Sequence, residues 1–479
     1  TNRKCAPIVE LVWSPEIPEK TLDSAQKREV RLTDSPFRSL IYEAQCSGRY
    51  AVLVLPVLQW KMLRGTSVID PFGTGAYNAE TLVHVLKSSL GTGILAMPHA
   101  IALTGYVVGA LSTFAIGAIG VYCLHILLRS QYVICKRTRV PLVTYPQTMM
   151  YALTNGPPWM TWLAPASCYI VEGFLIFYQI GICACYVVFV ATNMKQVTCY
   201  QNEQLHMFFL VFPLILLNCV RNLKLLAPFS TLANLITFIG LGIILYYVLT
   251  DVPPLTERDM AGGVIDYALF FGIVLFALEA VGVIIALESN MKNPADFRGT
   301  FGILNIGLGI IIILYAVIGV LGYLKYGSDC RGSITLNLPE NEKLAQSVKI
   351  TMALAVFISY ALQCYVPITV IWKDYMLGRL VNFLVPRLNC TLRCLFYFAV
   401  IMGALIPRLG VFIALVGALA LSMLGLVFPA TIELCVYWYE EFEGRCHWRL
   451  AKDTVIIIFG FMGLVLGTYA AFVDLYQGA

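Results

Sequence analysis

Charge is what this chain has least of. Asp, Glu, Lys and Arg make up 13% of its 479 residues, against 59% hydrophobic residues, and mean hydropathy is +0.76. That balance lies outside the soluble globular range. There is no Walker A loop, which argues against ATP-driven transport by this chain alone. There is no HExxH, no GxSxG and no zinc-finger cysteine spacing, so nothing points to an enzyme, a cofactor or a metal. No ring of charges or repeated filter sequence suggests a channel. The apolar segments do not alternate over about ten residues, which excludes a transmembrane β-barrel.

What the chain has instead is long apolar runs. There are eleven, most near the length, about 20 residues, that crosses a hydrocarbon core of roughly 30 Å. They cover approximately 78–102, 106–128, 162–192, 206–220, 226–249, 264–287, 300–325, 345–372, 390–407, 410–438 and 453–475, the fourth being short. The expected class is an all-α polytopic membrane protein in a lipid bilayer. Net charge is only +5, so its distribution carries the information. Arg129, Lys136, Arg137, Arg139, Arg387, Arg393, Arg445, Arg449 and Lys452 fall in loops on one side. The other side holds fewer, among them Lys195, Arg258 and Arg408. The positive-inside rule then places the N-terminus in the cytosol. These basic clusters are read as topology signals, not as nucleic-acid binding. Of 15 cysteines most lie within spans. Cys199 and Cys330 lie in loops on the oxidising side and are available for a disulfide.

Residues 1–77 differ in kind. They are polar, contain proline and lack periodicity, and are expected to be mostly disordered and cytosolic. The chain starts on Thr1 rather than Met, as a fragment would. From Asn78 to 479 it reads as one transmembrane domain. Spans one to five (78–249) and six to ten (264–438) form halves of similar length, and the eleventh (453–475) stands outside them. An odd number of helices per half gives the halves opposite orientations, as inverted repeats require.

Each half begins with an apolar segment interrupted near its middle. The first break is Gly91-Thr92-Gly93, followed by Pro98; the second is Leu278-Glu279-Ala280-Val281-Gly282. A freed backbone group in lipid costs several kcal/mol, so a mid-depth break needs protein or a water-filled cavity around it. Matched breaks in two halves mark a transporter substrate site. The N–H groups after the first break suit a carboxylate. Carbonyls at Phe276, Ala277 and Leu278 suit an ammonium group or a coupling ion. Thr81, His84, Lys87 and Gly91 follow at helical spacing and are expected on one face. Histidine is the natural side chain for sensing protons between about pH 5 and 8, which makes His84 the candidate for proton coupling. Glu279 is placed to pair with Lys87 or to exchange a proton. Glu172 and Glu433 are further carboxyls at membrane depth. His125 and His206 are read as structural, and Tyr178 and Tyr360 as lids over a cavity.

These segments resemble the proton-coupled branch of the amino acid/auxin permease family. The resemblance rests on Thr81-Leu-Val-His84-Val-Leu-Lys87 with Gly91-Thr-Gly-Ile-Leu-Ala-Met-Pro98, on Gln179-Ile-Gly181 with Cys183 and Tyr186, on Gly332 to Pro339 and on Tyr360 to Pro367. It implies eleven helices in a 5+5 inverted-repeat fold with discontinuous helices one and six. It implies symport of small neutral amino acids with protons, and a proton-coupling role for His84. It matches Gly91, Thr92 and Gly93 to a carboxylate-binding turn and Glu279 to an acidic position in helix six. The family's usual Phe-Glu-Gly is Leu278-Glu279-Ala280 here, and Cys364 stands where an aromatic is usual, which bears on substrate size. The family's usual loop cysteine after Leu-Pro is absent, so Cys330 would replace it. A sodium-coupled or uniporting carrier, and a sensor signalling through a partner, are the alternatives. Plasma membrane and lysosomal or vacuolar membrane both fit.

Overall fold

The computed structural model describes residues 78–89, 91–140, 143–198, 203–218, 223–263, 266–278, 284–285, 287–288, 291, 295–299, 301–370, 408–439 and 448–477. The N-terminal segment 1–77, the ninth expected span at 390–407, Glu279 and Cys199 lie outside the described residues.

The bilayer core offers no water to backbone donors and acceptors, so apolar runs must close hydrogen bonds within themselves. The described runs do so as helices: α1 (Asn78–Ser89), α2 (Thr92–Thr104), α3 (Tyr106–Thr138), α4 (Tyr145–Thr154), α5 (Ala164–Val197), α6 (Glu203–Asn218), α7 (Leu223–Leu249), α8 (Asp266–Leu278), α9 (Ala295–Arg298), α10 (Ile303–Tyr326), α11 (Lys343–Val370), α12 (Leu409–Val436) and α13 (Trp448–Gln477). Among the described residues, five helical stretches are long and apolar enough to cross a membrane: α3, Thr161–Val197, Asp296–Asp329, α12 and α13. Apolar side chains stand exposed on their outer faces, such as Val465 and Tyr469 of α13 and Phe208 and Phe212 of α6. Trp159 and Trp162, also exposed, sit just before α5, where an aromatic belt belongs. The chain is a multi-pass membrane protein of helices.

α8 lies at the centre, packed against α2, α12 and α13. α10 covers α2 and α3, and α5 pairs with α11. Gly105 joins α2 to α3 at φ +78°, where a Cβ would meet the Met260–Ala261 backbone at 2.6 Å, so only glycine fits. α3 continues to Thr138 instead of ending near 128, and Arg139 closes it in the left-handed region at φ 55°. α12 contains a π-helical stretch, Gly417–Val427. α4 is too short to span and was not expected. Its signal was present: Thr144-Tyr145-Pro146-Gln147 is a capping box, with the Thr144 N–H donating to Gln147 Oε1 at 3.1 Å.

The loop after α10 is held by its own polar groups. Asn337 accepts from the Arg331 N–H at 2.9 Å and donates to the Asp329 carbonyl at 2.8 Å. Gln196 and Lys349 donate to the Leu336 and Leu338 carbonyls, each at 3.0 Å. Cys330 is a buried free thiol, 3.7 Å from the Gly322 carbonyl oxygen. Burial pushes this thiol up to about 12. The thiolate is the reactive form. Cys330 should therefore resist a water-soluble maleimide at neutral pH and react only after denaturation. Rapid labelling of the folded protein at Cys330, read by mass spectrometry, would contradict this.

Candidate functional site

The interruption at Gly91 is the centre of the candidate site. α1 ends at Ser89, α2 begins at Thr92, and Gly91 lies between them at φ −128° and ψ −149°. The Gly91 N–H donates to the Ser89 carbonyl at 2.9 Å. α2 has no side-chain cap and no acidic residue in its first turn. The first N–H groups of a helix lack partners within it. Thr92, Gly93, Ile94 and Leu95 are all buried, so these donors open into protein rather than water. Donors and dipole together suit a negative group.

α8 presses directly on this turn. A Cβ on Gly93 would lie 2.6 Å from Ala277 Cα and 3.4 Å from the Ala277 carbonyl oxygen. Behind α8, a Cβ on Gly417 of α12 would lie 1.9 Å from the Gly272 carbonyl oxygen, and one on Gly272 would lie 2.2 Å from that of Ala414. α2, α8 and α12 therefore meet backbone to backbone. Phe276 and Ala277 are buried and Leu278 half-buried beside the first break. Glu279 to Gly282, the second expected break, lies outside the described residues. A cavity of about 40 Å³ lies among α3, α8, α10 and α12, with Leu275, Leu278, Gly117 and Gly425 in its lining. Its lining side chains are all apolar, so the cavity does not suit a zwitterion.

Aromatic side chains close over the break. Tyr178 of α5 stands edge-on to Phe276, with centroids 6.4 Å apart. The Tyr186 hydroxyl, also from α5, would stand 3.6 Å from a Cβ on Gly91. It hydrogen-bonds Gln363 of α11. Tyr360, one turn earlier in α11, is fully buried. Tyr315 of α10 donates its hydroxyl hydrogen to the Ser89 carbonyl. The Ser89 hydroxyl is buried without a partner among the described residues. In the sequence Tyr186 stood out only through the family resemblance, and Tyr315 and Ser89 were passed over. Ser89 had a readable signal, since it lies four and eight residues after Val85 and Thr81.

Those three residues form the buried stripe of α1, while His84 is exposed. The face expected to hold Thr81 and His84 together is thus divided between core and exterior. Lys87 lies in α1 near its end. His125 pairs with Asn305 Oδ1 at 2.7 Å and His206 with Thr198 Oγ1 at 2.7 Å, both away from the break.

A second polar cluster ties α9 to its neighbours. Arg298 Nε lies 3.1 Å from Glu288, and its guanidinium sits 3.5 Å over the Tyr132 ring of α3. The Tyr132 hydroxyl hydrogen-bonds Glu288. Asn78, at the start of α1, donates to Asp296 at 3.2 Å. Burial pushes the Glu288 carboxyl up to about 7, against the pull of Arg298 and the Tyr132 hydroxyl.

The profile of the family described as transmembrane amino acid transporter protein matches residues 75–473. A proton-coupled amino acid transporter-like protein, pathetic, from Drosophila melanogaster is 39% identical over 410 residues, covering 83% of this chain and 85% of that protein. Amino acid transporter AVT3C from Arabidopsis thaliana is 25% identical over 423 residues, covering 83% and 91%. Among solved structures, MhsT with bound L-phenylalanine gives a TM-score of 0.46 at 12% identity, covering 83% of this chain and 99% of that one. The nucleobase-cation-symport transporter Mhp1 gives 0.44 at 15%, covering 85% and 94%.

Proposed function

The chain belongs to the transmembrane amino acid transporter family, and from that premise we propose that it carries small neutral amino acids across a membrane together with protons. The observation that carries this reading is the uncapped, buried start of α2 held against α8. In this reading the N–H groups at Gly91, Thr92 and Gly93 hold the substrate carboxylate. The carbonyls of Phe276, Ala277 and Leu278 hold its ammonium group. Tyr178, Tyr360 and Tyr186 shield the bound molecule. The chain forms eleven helices in a 5+5 inverted repeat, and one half rocks against the other. The N-terminus is cytosolic, and acid lies on the opposite side, outside the cell or in a lysosomal or vacuolar lumen.

In this reading His84, exposed on α1, carries the coupling proton, and Lys87 and Glu279 complete the coupling set. A proton drives transport only by binding the two states with different affinity.

The test is uptake of labelled alanine, glycine and proline into proteoliposomes, with and without a proton gradient. Gradient-driven uptake should persist when sodium is replaced by choline. His84→Ala should remove the gradient's effect and leave substrate binding intact. Uptake indifferent to the gradient in folded protein would overturn proton coupling, and binding without flux would point to a sensor.

A further inference from the structure

The α3–α12–α13 face holds an ionic group that the site above does not use. Glu433 of α12 and Asp453 of α13 are both buried, with 3% and 1% of their surface exposed. Lys452 of α13 lies between them. Its Nζ is 2.5 Å from Glu433 Oε2 and 3.1 Å from Asp453 Oδ1. The same ammonium stands 4.9 Å from the Tyr122 ring centre of α3 and hydrogen-bonds that hydroxyl.

The charges do not balance. One ammonium faces two carboxylates, and its aligned hydrogen bond goes to Glu433. Neither Asp453 oxygen has an aligned donor among the described residues, although both are buried. Asp453 lies within hydrogen-bonding reach of both the Lys452 ammonium and the Glu433 carboxyl. A buried anion without a donor is costly, and two carboxyls sharing a site do not both ionise. A single proton on the pair removes the excess charge and supplies the missing donor. Among the described residues, the neighbouring helices offer no substitute. α3 contributes Tyr122 and the thiol of Cys123. α8 brings Phe271 against α13, at Gly463 and Phe459. Arg137 is engaged with the Val436 carbonyl at 2.8 Å, and Arg449 stacks on Tyr437.

We propose that Glu433 and Asp453 share one proton against Lys452, forming a proton-binding site separate from the amino acid site. The carboxyl that carries the proton donates to the other, and Lys452 compensates the remaining negative charge. The site joins α12 and α13 to α3, so its protonation state bears on how these helices pack. Its place in the transport cycle rests on the proton-coupled reading; proton binding itself does not.

The experiment is infrared spectroscopy of the full chain in lipid nanodiscs across a pH titration. Glu288, whose carboxyl is also pushed up to about 7, is replaced by Gln throughout, and this protein, intact at Glu433 and Asp453, should show a protonated-carboxyl carbonyl band at neutral pH that shifts in heavy water. Asp453→Asn and Glu433→Gln should each abolish that band, because either remaining carboxylate then pairs with Lys452 as an ion. Lys452→Arg should keep it. A band that survives in either amide variant, or no band in the intact protein, overturns the proposal. If one amide variant does not fold, the other still decides. Uptake by the same variants should lose its wild-type pH dependence while alanine binding is retained. If intact protein shows the band but no gradient-driven uptake, the transport reading falls and the proton site stands.

Discussion

Gly93→Ala should abolish most uptake while the protein still reaches the membrane. The added methyl would lie 2.6 Å from Ala277 Cα, a backbone atom that cannot rotate away. Overpacking of this kind costs about 1–3 kcal/mol. About 1.4 kcal/mol is already tenfold in an equilibrium. Here that cost falls on the turn that presents the α2 donors. The double variant with Ala277→Gly discriminates between side-chain crowding and backbone approach. It removes the contact at 3.0 Å to the Ala277 methyl but leaves the one at 2.6 Å. Uptake should therefore stay low in the double variant. Full recovery would show that the helices are held apart by side chains. Surface biotinylation alongside labelled-alanine uptake separates lost transport from lost protein.

The second large effect is a dependence of stability on pH at Glu288. Its carboxyl moves from an ordinary 4.5 up to about 7 in the folded protein, because burial outweighs Arg298 and the Tyr132 hydroxyl. Folded protein thus holds a proton that the unfolded chain has released. Stability from this group is complete below 4.5, falls as pH rises, and is gone above about 7. The linkage amounts to roughly 3 kcal/mol at most. Thermal unfolding in detergent should therefore show a midpoint that declines as pH rises through that window. Glu288→Gln should flatten the decline. Arg298→Met should extend it to higher pH, since the counter-charge that pulls the carboxyl down is gone. An unchanged slope in Glu288→Gln would assign the pH dependence to other groups.

The apolar runs named most of the described helices, since a bilayer permits little else for such segments. The first break was legible because glycine on both sides of Thr92 removes the side chains that would fill a tight approach. Its partner surface was legible only as a stretch of chain. That Ala277, of all α8 residues, meets Gly93 depends on how two helices rotate, and no local pattern encodes that. The placement of His84 failed for a related reason. Spacing gave a face shared with Thr81, but α10 packs against α1 along the Thr81–Val85–Ser89 side, where Val85 meets Gly307. The π-helical stretch of α12 was hidden too, because an apolar sequence without proline reads as ordinary helix. The Glu433 group was half visible: the carboxyl stood out in the sequence, whereas its pairing with Lys452 joins residues on different helices.

The glycine contacts among α2, α8 and α12 have a consequence for how such a protein can change. Where backbone touches backbone, no side chain is available to be exchanged, so mutation can damage this core but not retune it. On its α5 side the core meets ordinary side chains, Tyr178 against Phe276 and Tyr186 beside Gly91, with Gln363 of α11 hydrogen-bonded to Tyr186. A shift in preferred cargo over evolutionary time would then be recorded on those two helices, while the three-helix core stayed silent.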